Sequence, residues 1–194
     1  SSDVCSSDLT ALDAADRTID LSDGRTIKFG WCVLATGGRA RRLTCPGADI
    51  SGIHYLRTLA DMEQLRTEMR DAQRIAIIGG GYIGLEVAAV ARELGKAVTL
   101  IEAQSRLLAR VTSAAMSAFY ERTHKDHGTV LHLGHGVGAI SGEARVTALT
   151  LDDGTRIPTD LVVAGIGIDA ETTLAEAAGI ACHNGVLEIG RAHG

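Results

Sequence analysis

The chain has 194 residues, enough for one or two domains with a substantial core. Its 45% hydrophobic content and net charge of −5 describe an ordinary soluble protein without a bias toward nucleic acid, and a 3% aromatic fraction argues against base-stacking platforms. The longest apolar runs, such as 161–168, are too short to span a bilayer, so no membrane partner is expected. Cys5, Cys32, Cys45 and Cys182 lie far apart without CxxC or zinc-type spacing, and no secretory signal is visible. Free thiols in a reducing, cytoplasmic compartment are expected.

Residues 1–9, SSDVCSSDL, repeat SSD and lack a starting Met. CSSDL is what a widely used DNA-sequencing adapter encodes in frame. The reverse strand of that adapter gives EIGRAH, which recurs at 188–193. Both ends, 1–9 and 188–194, are therefore expected to be non-native tails flanking a truncated gene, the alternative at the N-terminus being a polar tail. Codons that do not match the adapter would remove that expectation.

From Thr10 the pattern predicts short strands over 11–15 and 18–21, a Ser22-Asp23-Gly24-Arg25 hairpin turn, and a strand over 26–29. An apolar strand over 31–34 runs into Ala35-Thr36-Gly37-Gly38. Small residues there either make a plain turn or let a bulky ligand approach the backbone. Arg39, Arg41 and Arg42 fit a solvated loop better than a nucleic-acid patch, because nothing nearby supports one. A helix is predicted over 59–70, with Leu59, Met62, Leu65 and Met69 marking one buried face.

The most informative stretch is RIAIIGGGYIGLEVAAVARELGKAVTLIE, 74–102. A buried strand over 75–78 leads into Gly79-Gly80-Gly81-Tyr82-Ile83-Gly84. Gly79 permits the tight turn, Gly81 lets a phosphate approach, and Gly84 lets the following helix pack closely. The amides from Tyr82 to Gly84 open that helix and are placed to take a pyrophosphate. A second strand over 97–101 ends in Glu102, roughly 20 residues past the glycines, where an acid hydrogen-bonds a ribose hydroxyl. A lone GxGxxG is weak, but strand, glycines, helix, strand and acid in order point to a dinucleotide-binding βαβ unit. A glycine-rich turn in another α/β protein leaves Glu102 unexplained. A carboxylate there repels a 2′-phosphate, so NADH is expected over NADPH. Arg106 is the nearest cation able to blur that preference.

Beyond it, a helix is predicted over 113–125, with Ala114, Ala115, Ala118 and Phe119 on its apolar side. Strands follow over 130–133, 137–140, 145–151 and 156–157, the last two joined by an Asp152-Asp153-Gly154 turn. A buried strand over 160–164 ends in Gly165-Ile166-Gly167, and a helix over 170–178 is capped by Gly179. His124, His127, His132 and His135 make two HxxH pairs of unlike geometry, so no metal site is expected. Ser113 and Ser117 lack a base partner, so nucleophilic catalysis has no support.

In combination, VLATGGRARRL (33–43), HYLRTLAD (54–61), IIGGGYIGLEVAAVARELG (77–95), VTLIEA (98–103), LLARVTS (107–113) and DLVVAGIGI followed by LAEAAGI (160–180) carry a resemblance. They resemble the flavin-dependent pyridine-nucleotide oxidoreductases, and within them the ferredoxin and rubredoxin reductases of bacterial oxygenase systems. The resemblance implies an α/β fold: a Rossmann-like NAD-binding domain of three layers, with a β-meander, inserted in a partial FAD-binding domain. It places 10–54 in the FAD domain, 55–178 in the NAD domain and 179–187 in the return to the FAD domain. The family's first GxGxxG, its later Gly-Asp motif and its interface domain are absent here.

The implied reaction is hydride transfer from NADH to FAD, then single-electron transfer to an iron–sulfur protein of ferredoxin or rubredoxin type. By resemblance Glu86 stands beside the nicotinamide, although a surface glutamate at a helix N-terminus fits equally. Tyr82 either gates that pocket or packs. Gly165, Ile166 and Gly167 resemble the turn that meets the NAD backbone. Ala35, Thr36 and Gly37 resemble its counterpart on the FAD side, and Arg57 an arginine near the FAD. Beside the solvated-loop reading, Arg39, Arg41 and Arg42 could help attract an acidic ferredoxin. The rival readings are a flavoprotein disulfide reductase or NADH oxidase of the same fold, or a nucleotide-binding module without turnover.

Overall fold

Short apolar runs become strands where another strand lies alongside to pair with them. In the computed structural model, which describes residues 8–188, such runs divide between two units, Ser1–Arg39 with Ile168–Gly194, and Ala40–Gly167. The expected tails fall outside the described residues, apart from Asp8, Leu9 and Glu188.

In the first unit β1 (Leu9–Asp13), β2 (Thr18–Leu21) and β3 (Thr26–Lys28) form an antiparallel meander. The strand expected over 31–34 is not formed. Among the described residues no strand pairs with it, and Trp31 and Val33 stay 96% and 87% exposed. Apolar pattern alone does not make a strand when its backbone groups have nothing to pair with. The chain next forms β4 (Gly38–Ala40).

The second unit begins at Ala40, so it includes 40–54, which the resemblance assigns to the FAD domain. Leu43, Cys45, Ile50 and Ile53 pack on its core, and β5 (Ile53–His54) joins its sheet. Then come α1 (Leu59–Asp71), β6 (Arg74–Ile78), α2 (Tyr82–Glu93), β7 (Ala97–Glu102), α3 (Ala114–Asp126) and β8 (Val130–Leu133). They are followed by β9 (Val137–Gly142), β10 (Val146–Leu151), β11 (Arg156–Pro158) and β12 (Leu161–Ala164). The chain returns to the first unit through β13 (Ile168–Ala170), which pairs with β4, and α4 (Thr173–Ala177). Ala170, expected to open the last helix, therefore lies in a strand, and the helix has only five residues.

Strands β5-β12-β6-β7-β8 form one parallel sheet in that order. Alternation along each strand splits its side chains between two cores. Ile75, Ile77, Val98, Leu100, Leu161 and Val163 meet Leu65 and Met69 of α1 and Leu85, Ala88 and Ala91 of α2. On the opposite face Ala76, Ile78, Ile101 and Val162 meet Ile140, Leu149 and Ile157 of the β11-β10-β9 meander. Helices, parallel sheet and antiparallel meander make three layers. Such two-sided burial explains why β6 and β12 read as unbroken apolar runs.

Thr58 caps α1 in a reciprocal capping box with Asp61, whose carboxylate is held below its usual pKa range by the Thr58 amide. Only the later half of the predicted α1 face is buried: Leu65 and Met69 are 5% and 6% exposed, Leu59 and Met62 are 69% and 40%. In α3 the expectation is reversed. Phe119 is 53% exposed while Ser117 and His124 are buried, because the inward face of this helix holds a loop by hydrogen bonds. Burial, with the nearby His127 adding to it, lowers the pKa of His124. No helix among the described residues is long and apolar enough to cross a membrane.

Candidate functional site at the glycine turns

Strand β6 delivers the chain to Gly79, whose N–H donates to the Ile101 carbonyl at 2.8 Å. Gly79 has φ +109°, and a Cβ there would stand 2.4 Å from the Gly165 carbonyl oxygen. Gly165 N–H donates to the Ile78 carbonyl at 2.8 Å. The glycine turns that follow β6 and β12, adjacent strands of the sheet, are thus pressed together. A Cβ on Gly84 would lie 2.1 Å from the Gly79 carbonyl oxygen, so α2 rests directly on the turn. Gly81 differs: a Cβ there would meet nothing within 4 Å. It is the N-cap of α2 and offers no side-chain cap. First-turn amides at the positive end of the helix dipole therefore border open space, an arrangement that suits an anion.

Glu102 ends β7 beside this turn, half-buried. Its Oε2 accepts the Gly80 N–H at 2.6 Å, and its Oε1 accepts the Gln104 N–H at 2.7 Å. Gly80 is itself enclosed, since a Cβ there would lie 2.6 Å from Leu107 Cδ2 and 3.1 Å from Glu102 Oε2. Arg106, the cation that sequence placed nearest, is engaged elsewhere. Its guanidinium donates to the carbonyls of Thr112 (3.0 Å) and Ala109 (2.7 Å) and to Ser117 Oγ (2.7 Å). Leu108 N–H meets the Gly80 carbonyl at 2.9 Å. The support from 106–112 was not legible in sequence: only the run LLARVTS marked it, and the partners lie across a fold.

Among the other predicted residues, Tyr82 and Ile83 sit at the start of α2, 52% and 47% exposed, and Glu86 is exposed one turn on. Ile166 is partly buried against the meander-side core. Gly167, at φ +108°, accepts the Arg41 N–H at 3.0 Å. Arg57 is exposed before α1, and its N–H donates to Asp61 Oδ2 at 3.0 Å. The structure thus brings Gly79, Gly80, Gly84, Gly165 and Glu102 together. Arg57 is held in the link that the Asp61 carboxylate caps.

Ala35, Thr36 and Gly37 belong to the first unit. Thr36 Oγ1 donates to the Glu171 carbonyl at 2.6 Å, Glu171 N–H donates to the Gly37 carbonyl at 3.0 Å, and Gly37 has φ +69°. Beside them lies a cavity of about 250 Å³ bordered by Leu12, Val33, Leu34, Ala35, Thr36 and Leu174 among others. Arg39 pairs with Glu171 at 3.0 Å and Arg42 stacks on the Tyr55 ring at 4.2 Å.

In the second HxxH pair the His132 and His135 rings lie edge to face, with centroids 6.4 Å apart. His127 Nδ1 lies 2.7 Å from the Thr123 carbonyl, whereas His135 Nδ1 sits 3.3 Å from Asp152 Oδ1 and 3.5 Å from Asp153 Oδ2. Asp152 also accepts the Gly136 N–H and Asp153 the Thr155 N–H, and these amide bonds are the main cause of their lowered pKa values. Both aspartates hold turns of the meander.

Comparison with known proteins adds an independent finding. A family model described as pyridine nucleotide-disulphide oxidoreductase matches residues 3–191. A ferredoxin–NAD(P)(+) reductase of a Sphingomonas species is 45% identical over 177 residues, 91% of this chain and 43% of that relative. The crystal structure of the ferredoxin reductase for the CYP199A2 system of Rhodopseudomonas palustris superposes with a TM-score of 0.88 at 38% identity, covering 93% of this chain and 45% of that one. A covalent putidaredoxin reductase–putidaredoxin complex superposes with a TM-score of 0.84 at 42% identity, covering 92% of this chain and 44% of that one. The chain therefore spans less than half the length of the relatives it matches.

Proposed function

The chain belongs to the pyridine nucleotide-disulphide oxidoreductase family, and from that premise we propose that its Ala40–Gly167 unit binds NADH. The whole protein would be an FAD-dependent NADH reductase that passes electrons to an iron–sulfur protein of ferredoxin or rubredoxin type. The reductases it resembles act on ferredoxins by name, and one is captured in a complex with its putidaredoxin. Cys32, Cys45 and Cys182 are free, which supports a reducing, cytoplasmic setting.

In this reading the amides at Gly81, Tyr82 and Ile83 bind the pyrophosphate and Gly165 to Gly167 line its other side. Glu102 accepts hydrogen bonds from the adenosine ribose hydroxyls, and Glu86 and Tyr82 face the nicotinamide end. Arg57 and the Ala35, Thr36 and Gly37 turn belong to the flavin side. FAD held there would supply the hydride-accepting and single-electron chemistry. The cavity beside the Ala35 to Gly37 turn, about 250 Å³, is smaller than the ~300–1,000 Å³ of small-ligand sites. The described residues of the first unit thus border that space and do not by themselves enclose a flavin dinucleotide.

The observation that carries the reading is the Glu102 carboxylate, held by the Gly80 N–H at 2.6 Å beside an open, uncapped helix mouth. It favours ribose hydroxyls and repels a 2′-phosphate. Fluorescence titration of the chain with NADH and NADPH tests it. The expected result is saturable binding with NADH preferred by about tenfold or more, about 1.4 kcal/mol, and loss of that preference in Glu102→Ala. Equal binding of the two nucleotides, or an unchanged preference in the variant, would overturn it.

A further inference from the structure

Of the polar groups around the glycine turn, the reading above leaves Arg106 and Ser117 without a role, although both make side-chain hydrogen bonds in the fold. Ser117 is 1% exposed, and its hydroxyl donates to the Leu107 carbonyl at 2.5 Å while accepting from Arg106 Nη1 at 2.7 Å. Arg106 also donates to the Thr112 and Ala109 carbonyls. Together they clip both ends of the 107–112 loop to the first turn of α3. The clip holds a conformation that the loop would not adopt by itself: Leu108, 3% exposed, has φ +53°, in the left-handed region that L side chains avoid.

What this conformation achieves is visible at Gly80. Leu108 N–H reaches the Gly80 carbonyl at 2.9 Å. In a trans peptide the N–H points opposite to the C=O. Fixing the Gly80 carbonyl toward Leu108 therefore aims the Gly81 N–H away from the loop, and Gly81 is also the residue where a Cβ would meet nothing within 4 Å. The same loop places Leu107 against Gly80, whose own N–H binds Glu102 Oε2.

We propose that Arg106, through Ser117 and the left-handed turn at Leu108, is a positioning residue that orients the Gly80–Gly81 peptide for the nucleotide pyrophosphate. The proposal rests on the NADH reading above. It also gives Arg106, four residues past Glu102, a task away from the ribose: Nη1 and Nη2 donate to Thr112, Ala109 and Ser117.

The test uses the full chain, isotopically labelled, with NADH as the probe. In the natural sequence the Gly81 amide resonance should shift on saturation with NADH. In Arg106→Met the affinity should fall about tenfold and that shift should be lost. Arg106→Lys, which keeps a cation able to reach the loop carbonyls, should recover most of the affinity. A residue that merely supported the fold would lower the thermal midpoint without selectively removing the Gly81 shift. If Arg106→Met does not fold, Ser117→Ala serves in its place, with an expected loss of about threefold, the size of one neutral hydrogen bond. Binding within twofold of the natural chain, or a retained Gly81 shift, in the variant that folds would overturn the proposal and leave the NADH reading standing. A natural chain that binds no NADH would overturn both.

Discussion

At Gly84 and Gly81 the same residue type answers to different constraints. A Cβ on Gly84 would collide with the Gly79 carbonyl at 2.1 Å, whereas one on Gly81 would meet nothing. Gly84→Ala must push α2 off its turn, and the cost should be on the order of 2–4 kcal/mol, read as a fall in the denaturation midpoint. Gly81→Ala should leave that midpoint within about 0.5 kcal/mol of the natural chain and weaken NADH binding instead, because the methyl occupies the phosphate's space. Equal destabilisation by the two would contradict this division. Sequence spacing singles out these glycines together. The spacing already assigns Gly81 to the phosphate and Gly84 to helix packing; what no local pattern encodes is the crowding of Gly79 by Gly165 and of Gly80 by Leu107.

At the level of elements, β6 and β12 are tied at their starts by charge. Asp160 accepts the N–H groups of Gln73 and Arg74 and pairs with the Arg74 guanidinium at 2.5 Å, which lowers its pKa to about 2. A folded pKa below the unfolded value of about 3.9 means that this contribution is complete above roughly pH 4 and fades as pH falls toward 2. Both side chains remain partly exposed, at 52% and 33%, so solvent screening keeps the contribution modest. Urea midpoints measured from pH 5 to 2 should fall through that window, and Asp160→Asn should flatten the decline. A variant with the same slope would remove Asp160 from the account. The longer strands and the helices were largely legible because each carries either a periodic apolar face or an unbroken apolar run, with a clear stop. The exceptions share a cause in tertiary context. The 31–34 run lacks a pairing partner among the described residues, and α3 turns Ser117 inward because Arg106 and the Leu107 carbonyl need it.

For the whole molecule, the two units differ in how their sheets are covered. In Ala40–Gly167 the parallel sheet is buried on both faces, with Ile77, Leu100, Leu161 and Val162 all 0% exposed. The meander of the other unit contributes only Leu12 and Leu21 to the buried hydrophobic set, at 9% and 4% exposed. Opening free energies follow such differences, so amide exchange should be slowest in β6, β7 and β12 and faster in β1, β2 and β3. Nucleotide binding sharpens the contrast. A ligand at 100 times its Kd stabilises the state that binds it by about 2.7 kcal/mol. If NADH is held by the glycine turn and Glu102, that increment should slow exchange in β6, β7 and β12 by up to about 100-fold, while β1 to β3 exchange as before. Uniform slowing across both units would mean that they open as one cooperative body. Slowing confined to β1, β2 and β3 would move the nucleotide to the Ala35 to Gly37 turn and away from Glu102.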